Sequence, residues 1–258
     1  MTENLKLNML TNQVGELIID NPARRNALNA QMWAHLPHIL EQAANTKGLR
    51  ALIVRGDGDH FSSGADISEF GTLYATAESS KQISLDIAAG FKALADFPLP
   101  TLAMIRGSCV GGGCGLALSC DVRFADTTSK YAISPAKLGL AYPFGDVKRL
   151  IETVGIPNAK DILFSARLIQ AKSARKMGLI NQLFKVDNLE EKTLDYAKTL
   201  AVLSPSSLRV SKKMFSAYQA GQREETEPSR TWFSDGFSSA DFQEGYKAFL
   251  EKRKPNFD

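Results

Sequence analysis

The feature that most constrains this chain is a unit repeated in its first half: an uninterrupted apolar run, a glycine-bearing loop, then apolar residues at helical spacing. Residues 51–54 (ALIV) and 101–105 (TLAMI) are the clearest runs. Four or five aliphatic residues without polar alternation, bounded by turn residues, suit a buried strand. Residues 14–20 read as another strand, stopped by Asn21-Pro22, and residues 122–125 and 131–133 as two more. Asn29 is placed to cap a helix reaching about residue 46, with Met32, Leu36, Ile39, Leu40 and Ala43 on one face and a kink expected at Pro37. Residues 80–97 repeat the helical spacing through Ile83, Ile87, Phe91 and Leu94. Beyond Pro143 the pattern is nearly all helical, with short helices at 146–154, 158–165 and 171–177 and longer ones at 189–203, 205–220 and 237–252. Strand–helix alternation specifies an α/β fold. Its core is expected over residues 1–190, with a separate helical layer over residues 191–258 suited to packing on neighbouring subunits.

Composition narrows the class. The net charge of +3, with bases and acids intermixed, is too weak a bias for a nucleic-acid partner. No apolar run approaches the roughly 20 residues that span a bilayer. The polar start MTENLKLNML lacks the order of a signal peptide. Cys109, Cys114 and Cys120, an odd count without CxxC spacing, read as buried free thiols rather than a disulfide framework or metal site. The cytoplasm is the expected compartment, and no metal is expected.

Two loops carry the candidate chemistry: residues 61–67 (FSSGADI) and 107–115 (GSCVGGGCG). Each leads from an apolar strand toward a helix. Glycine lets a ligand approach the main chain, and a helix N-terminus presents unpaired N–H groups with partial positive charge. Two such N–H groups converging from two loops would hold a developing oxyanion. A triple glycine alone is equally often a tight turn. The dinucleotide pattern fails because Leu118 stands at its last position, and the P-loop pattern is absent.

The two loops together, in order with NPARRNALN (21–29), LGLAYPFGDVKRLIETVG, SARKMGLIN and the tail AFLEKRKPNF, resemble the enoyl-CoA hydratase/isomerase (crotonase) superfamily nearly end to end. The resemblance implies a spiral of ββα turns with a C-terminal helical region, assembled as a trimer or hexamer. It implies a coenzyme A thioester as substrate, no resident cofactor, and a role in fatty-acid or related acyl-CoA metabolism. The family's oxyanion donors fall on the N–H groups of Ala65 and Gly112, with Gly111 beside the latter. Coenzyme A contacts fall on Arg25, Ala27, Leu28, Ser63, Gly64, Ala65, Asp66 and Ile67, and on Phe233 and Lys252 of the tail, often from a neighbouring subunit.

The sequence departs from the family where its hydratases carry two glutamates flanking a water. Those positions hold Gly115 and Pro135, neither of which transfers a proton. Tyr142, in SPAKLGLAY, resembles a tyrosine of methylmalonyl-CoA decarboxylases and is placed to orient a carboxylate or water, or else packs at a loop edge with its hydroxyl in solvent. Asp146 and Lys137 read as surface residues or helix caps. His60 is expected to face solvent, Asp66 to be structural, and Asp121 to satisfy backbone donors near a helix end. Three functions remain open: a hydratase or isomerase working through a thioester enolate with another base, a decarboxylase that needs no base, and a non-catalytic acyl-CoA binder.

Overall fold

The computed structural model describes residues 4–257; residues 1–3, within the polar N-terminal segment, and Asp258 lie outside the described residues. Strands β1 (Leu5–Met9), β2 (Val14–Ile19) and β3 (Ala51–Gly56) flank helix α1 (Ala30–Ala44). After α2 (Phe70–Leu73) and α3 (Ala77–Ala95) come β4 (Thr101–Ile105), β5 (Ser108–Val110), α4 (Gly112–Ser119), β6 (Val122–Asp126) and β7 (Lys130–Ala132). Then follow α5 (Phe144–Ser165), β8 (Ile169–Gln170), α6 (Ala171–Lys176), β9 (Gln182–Phe184) and four helices, α7 (Leu189–Ala201), α8 (Pro205–Gln219), α9 (Glu227–Asp235) and α10 (Ala240–Leu250).

The strands form a six-stranded sheet ordered β1-β2-β3-β4-β6-β9 and a three-stranded sheet ordered β5-β7-β8. In the larger sheet β1 is antiparallel to β2 and every other pairing is parallel. From β4 onward each turn of chain places strands in both sheets (β4 with β5, β6 with β7, β8 with β9), while the earlier turn reaches the second sheet only through the isolated bridge of Ser62 to Cys109, and the whole is the expected spiral. Parallel strands bury both faces, so they read as continuous apolar runs. Leu52, Val54, Ala103 and Ile105 face a core shared with α1, α3 and α4, while Ile53, Leu102, Met104 and Phe124 face a second core closed by Leu189, Ala197 and Ala201 of α7. Helix α7 therefore packs on the sheet, although it starts at the expected boundary near residue 190. Helix α8 is also tied to the core, Lys212 donating to the Leu99 carbonyl at 3.1 Å and to Asp121 at 2.7 Å.

Asn29 caps α1, its side chain accepting the Met32 N–H at 2.9 Å, and α1 continues through Pro37 as one element. The helices expected at 146–154 and 158–165 fall in one span interrupted at Gly155, whose φ of 76° breaks the helical path just before Pro157. All three cysteines are buried free thiols, and burial pushes the Cys120 thiol up to about 12.

Candidate active site

The site begins where residues 21–29 turn. Arg25 and Asn26 adopt left-handed φ values of 51° and 57°, a conformation that asparagine tolerates better than most residues. The Asn26 side chain is fully buried. Its Nδ2 donates to the carbonyls of Asp57 (2.8 Å) and His60 (2.6 Å), and its Oδ1 accepts the Asn21 N–H at 3.0 Å. Ser62, also fully buried, donates from Oγ to the Asn26 carbonyl at 2.7 Å and accepts the Gly64 N–H at 3.1 Å. Sequence reasoning passed over both residues; the asparagine beside the αL turn was the available signal.

This turn fixes the first glycine loop. Leu28 N–H donates to the Gly64 carbonyl at 2.7 Å and Asp66 N–H to the Leu28 carbonyl at 2.9 Å. In such a parallel bridge, Leu28 against Ala65, the N–H of Ala65 itself points away from Leu28. On the other side Ser62 N–H donates to Ser108 O and Val110 N–H to Ser62 O, both at 2.9 Å, which lays the loop along β5. Gly111 caps α4 with φ 54° and donates to the Ala132 carbonyl at 2.8 Å. Gly112 opens the helix, so its N–H lacks an intrahelical acceptor. Among the described residues neither the Ala65 nor the Gly112 N–H has a hydrogen-bond acceptor.

The two loops touch through their backbones. A Cβ on Gly64 (φ 93°) would lie 2.7 Å from Gly112 N, and one on Gly112 would lie 3.5 Å from Ala65 N. Only glycine at 64 permits this approach. The two unpaired N–H groups thus come from backbones in contact.

Behind the loops, α4 packs against the side chains of α3 and α5. A Cβ on Gly115 would lie 2.4 Å from Phe91 Cζ, so the Phe91 ring fills the space beside this residue. Phe91 meets the Trp33 ring edge-on at 5.3 Å, and the Arg149 guanidinium sits 5.8 Å from its centroid. Arg149 pairs with Asp146 at 2.8 Å. Asp146 is buried, contrary to its reading as a surface residue; burial raises its carboxyl above the ordinary range, opposed by Arg149. The Tyr142 hydroxyl is likewise buried rather than in solvent and has no hydrogen-bond partner among the described residues. Burial pushes its phenol well up, and the charges of Asp146, Cys114 and Cys109 add to the effect. Pro135 opens a 3-10 turn (Pro135–Leu138) in which Lys137 is exposed.

The remaining expected residues divide. Arg25 and Ile67 are exposed, and Ser63 is half-buried with its Oγ donating to Arg24 O at 2.9 Å. Ala27 and Leu28 are buried. The carboxylate of Asp66, also buried, is committed within the protein, accepting from Arg24 (2.7 Å) and from the Ser68 N–H (3.0 Å). Burial alone would raise its pKa, but the bonds from Ser68 and Arg24 hold it below the ordinary value. Phe233 is exposed and meets Phe237 edge-on at 5.3 Å; Lys252 follows α10 with φ 54°. No hydrogen bond or ring contact joins either to the loop residues of the same chain among the described residues. Asp121 holds the start of β4 rather than a helix end, its Oδ2 accepting the Thr101 N–H and the Lys212 ammonium, each at 2.7 Å. His60 does not simply face solvent, because its Nδ1 accepts the Ser108 N–H at 3.1 Å.

A spiral of two sheets that brings two glycine loops together backbone to backbone defines the crotonase class of fold. The comparisons agree. The enoyl-CoA hydratase/isomerase family model matches residues 10–258. A probable enoyl-CoA hydratase of Bacillus subtilis is 34% identical over 252 residues, covering 95% of each chain. A 2,3-dehydroadipyl-CoA hydratase of Escherichia coli K12 is 32% identical over 248 residues, covering 93% of each. A crystal structure of an enoyl-CoA hydratase/isomerase family protein from Hyphomonas neptunium superposes with a TM-score of 0.95 at 38% identity, covering 99% of this chain and 97% of that one. The chain belongs to the enoyl-CoA hydratase/isomerase family and is an acyl-CoA-processing protein of that family. No helix among the described residues is long and apolar enough to cross a membrane.

Proposed function

We propose that this protein is an enzyme that binds an acyl-CoA thioester and stabilises its enolate between the N–H groups of Ala65 and Gly112. The observation that carries the reading is the pair of unpaired N–H groups on touching loop backbones. Charge that develops on the thioester oxygen meets fixed donors, and each such donor is typically worth roughly 10²–10³ in rate. Coenzyme A runs past Arg25 and the loop of Ser63, Gly64 and Ile67, with Phe233 and Lys252 supplied by a neighbouring subunit. Ala27, Leu28 and Asp66 support this path from beneath, through the loop they hold. The assembly is a homotrimer or hexamer, built through the exposed aromatics of α8–α10, and it works in the cytoplasm without a resident cofactor.

The Bacillus and Escherichia relatives are hydratases by name, and hydration or isomerisation is the first reading of the reaction. The proton then moves by a route other than two glutamates, since Phe91 occupies the space beside Gly115 and Pro135 has no proton to give. Decarboxylation is the second reading. Loss of CO₂ forms the enolate without a base, and the partnerless Tyr142 hydroxyl is a donor for a substrate carboxylate. A non-catalytic binder has no use for two unpaired N–H groups side by side. The test is incubation with crotonyl-CoA and with methylmalonyl-CoA, each followed by mass. Gain of water by the first supports hydration, and loss of CO₂ from the second supports decarboxylation. An isomerase leaves the mass unchanged and shows instead as a shifted chromatographic peak of equal mass; a protein that changes neither mass nor peak, yet binds both, is the binder.

A further inference from the structure

His60 stands at the head of the first glycine loop, and its side chain reaches across to the second. Its Nδ1 accepts the Ser108 N–H at 3.1 Å, which places the proton of the neutral ring on Nε2. A Cβ on Gly107 would lie 2.4 Å from that nitrogen and 2.2 Å from Asp59 O, so the second loop passes directly over the imidazole. From this point the two segments run side by side. Phe61 N–H donates to Arg106 O, Ser62 N–H to Ser108 O and Val110 N–H to Ser62 O, each at 2.9 Å. Ala65 and Gly112 lie three and two residues beyond the last rung of this ladder, between Ser62 and Val110. The other edge of β5 is held by β7, through Lys130 N–H to Gly107 O at 2.7 Å and Gly111 N–H to Ala132 O at 2.8 Å.

The charged groups around the ring are already engaged. Arg55, Arg106 and Glu190 line a cavity of about 200 Å³ with His60. Arg55 is paired with Glu16 at 2.6 Å and Arg106 with Glu190 at 3.2 Å. The backbone of His60 is held as well, its carbonyl accepting from Asn26 Nδ2 at 2.6 Å. Nδ1 is the acceptor that meets the first N–H of β5 on the edge facing the loop.

We infer that His60 is a positioning residue for the oxyanion hole, whose Nδ1 lone pair fixes the register of residues 61–65 against β5 and so the distance between the two donors. A one-residue step along a strand is about 3.3 Å, whereas an oxyanion donor works within about 2.7–3.1 Å of the oxygen. A small fraction of such a slip is therefore enough to spoil the hole without unfolding the loops.

The inference rests on the proposed oxyanion hole, and the experiment separates the two. Acetoacetyl-CoA is the probe, because an oxyanion hole stabilises its enolate, which absorbs in the ultraviolet differently from the keto form. His60→Asn retains an acceptor near the place of Nδ1, and His60→Leu has nearly the same shape without one. His60→Leu is expected to weaken enolate binding by about 10- to 100-fold, less than the loss of a whole donor. Free coenzyme A should bind all variants alike, and His60→Asn should resemble the wild type. If His60→Leu does not fold, His60→Gln, whose acceptor sits one bond further out, takes its place with the same expectation. A folded His60→Leu or His60→Gln protein that binds the enolate as tightly as wild type overturns the inference. So does a folded His60→Asn protein that is as weak as His60→Leu. Wild-type protein that produces no enolate signal sinks the oxyanion reading itself, and the inference with it. An enolate signal that Gly112→Pro abolishes and His60→Leu leaves intact sinks the inference alone.

Discussion

The loop pair and the side-chain wall of α3, Tyr142 and α5 both pack on α4, yet they are built from different materials. The loops are main chain. Their mutual approach rests on backbone hydrogen bonds at 2.7–2.9 Å and on one glycine at φ 93° that has no room for a side chain, with Asn26, Ser62 and His60 side chains tying the loops from outside. The wall is side chain, with Phe91 beside Gly115, Arg149 over Phe91, Asp146 on Arg149, and a Tyr142 hydroxyl without a partner. On the proposed reading the backbone part serves any reaction that passes through a thioester enolate. On the same reading the side-chain part selects the reaction, and it is here that Gly115 and Pro135 stand where the family resemblance implies glutamates. Among the described residues the Tyr142 hydroxyl and Trp33 Nε1, on the ring against Phe91, are both buried without a partner, which folding alone would not favour.

The largest expected effect breaks the loop side. Gly112→Pro removes the N–H at the first position of a helix, where proline is otherwise tolerated. Turnover of whichever substrate the mass assay identifies should fall by about 10²–10³, with the fold retained by circular dichroism. Full activity in a folded Gly112→Pro protein would show that the backbone hole is not the catalytic centre.

The second prediction tests whether the wall excludes hydratase acids sterically. Gly115→Glu with Pro135→Glu forces a side chain into the Phe91 ring and should cost about 1–3 kcal/mol from overpacking, with no gain in hydration. Adding Phe91→Ala opens the space, and crotonyl-CoA hydration should then rise. Equal melting temperatures for wild type and the double variant would contradict the steric account.

Tyr142→Phe comes third. Deleting a buried hydroxyl that has no partner should stabilise the protein by about 1 kcal/mol in urea unfolding. If the phenol orients a carboxylate or water, turnover should fall at the same time while coenzyme A affinity stays unchanged. Lower stability in the variant would mean that the hydroxyl has a partner in solution.

The smallest effect concerns the support of the first loop. Asp66 titrates below its ordinary value in the folded protein, so its contribution is fully present above about pH 3.9, the unfolded value, and is lost as pH falls through the folded value. Arg24 is half exposed, which limits the pair to about 1 kcal/mol or less. Asp66→Asn should therefore flatten the acid side of the stability profile and leave stability at pH 7 only slightly lower. An unchanged acid limb would assign the acid sensitivity elsewhere.

Much of the fold was legible in advance because it is written locally. The apolar runs of β3 and β4, the Asn29 cap and the helical spacing of α3 each depend on residues within one element. Strand β1 went unread although Leu5, Leu7 and Met9 alternate with polar residues, and β5, β8 and β9 were not legible, since two or three residues become a strand only by pairing with another segment. At the site, the glycine loops announced Ala65 and Gly112 through their motif. Asn26, Ser62 and His60 did not stand out, because their work is hydrogen bonding to loops 31 to 48 residues away.

The sequence by itself determined where the chain turns, where it buries its strands and where it dispenses with Cβ atoms, because propensity, periodicity and glycine's freedom act over a few residues. Tertiary structure alone decided that Gly64 and Gly112 touch, that Phe91 fills the space beside Gly115, that Asp146 and the Tyr142 hydroxyl are buried, and that His60 ties one loop to the other. Those are contacts between residues far apart in the chain. No local pattern encodes them, since which side chain fills a space is settled by close packing when the whole core assembles.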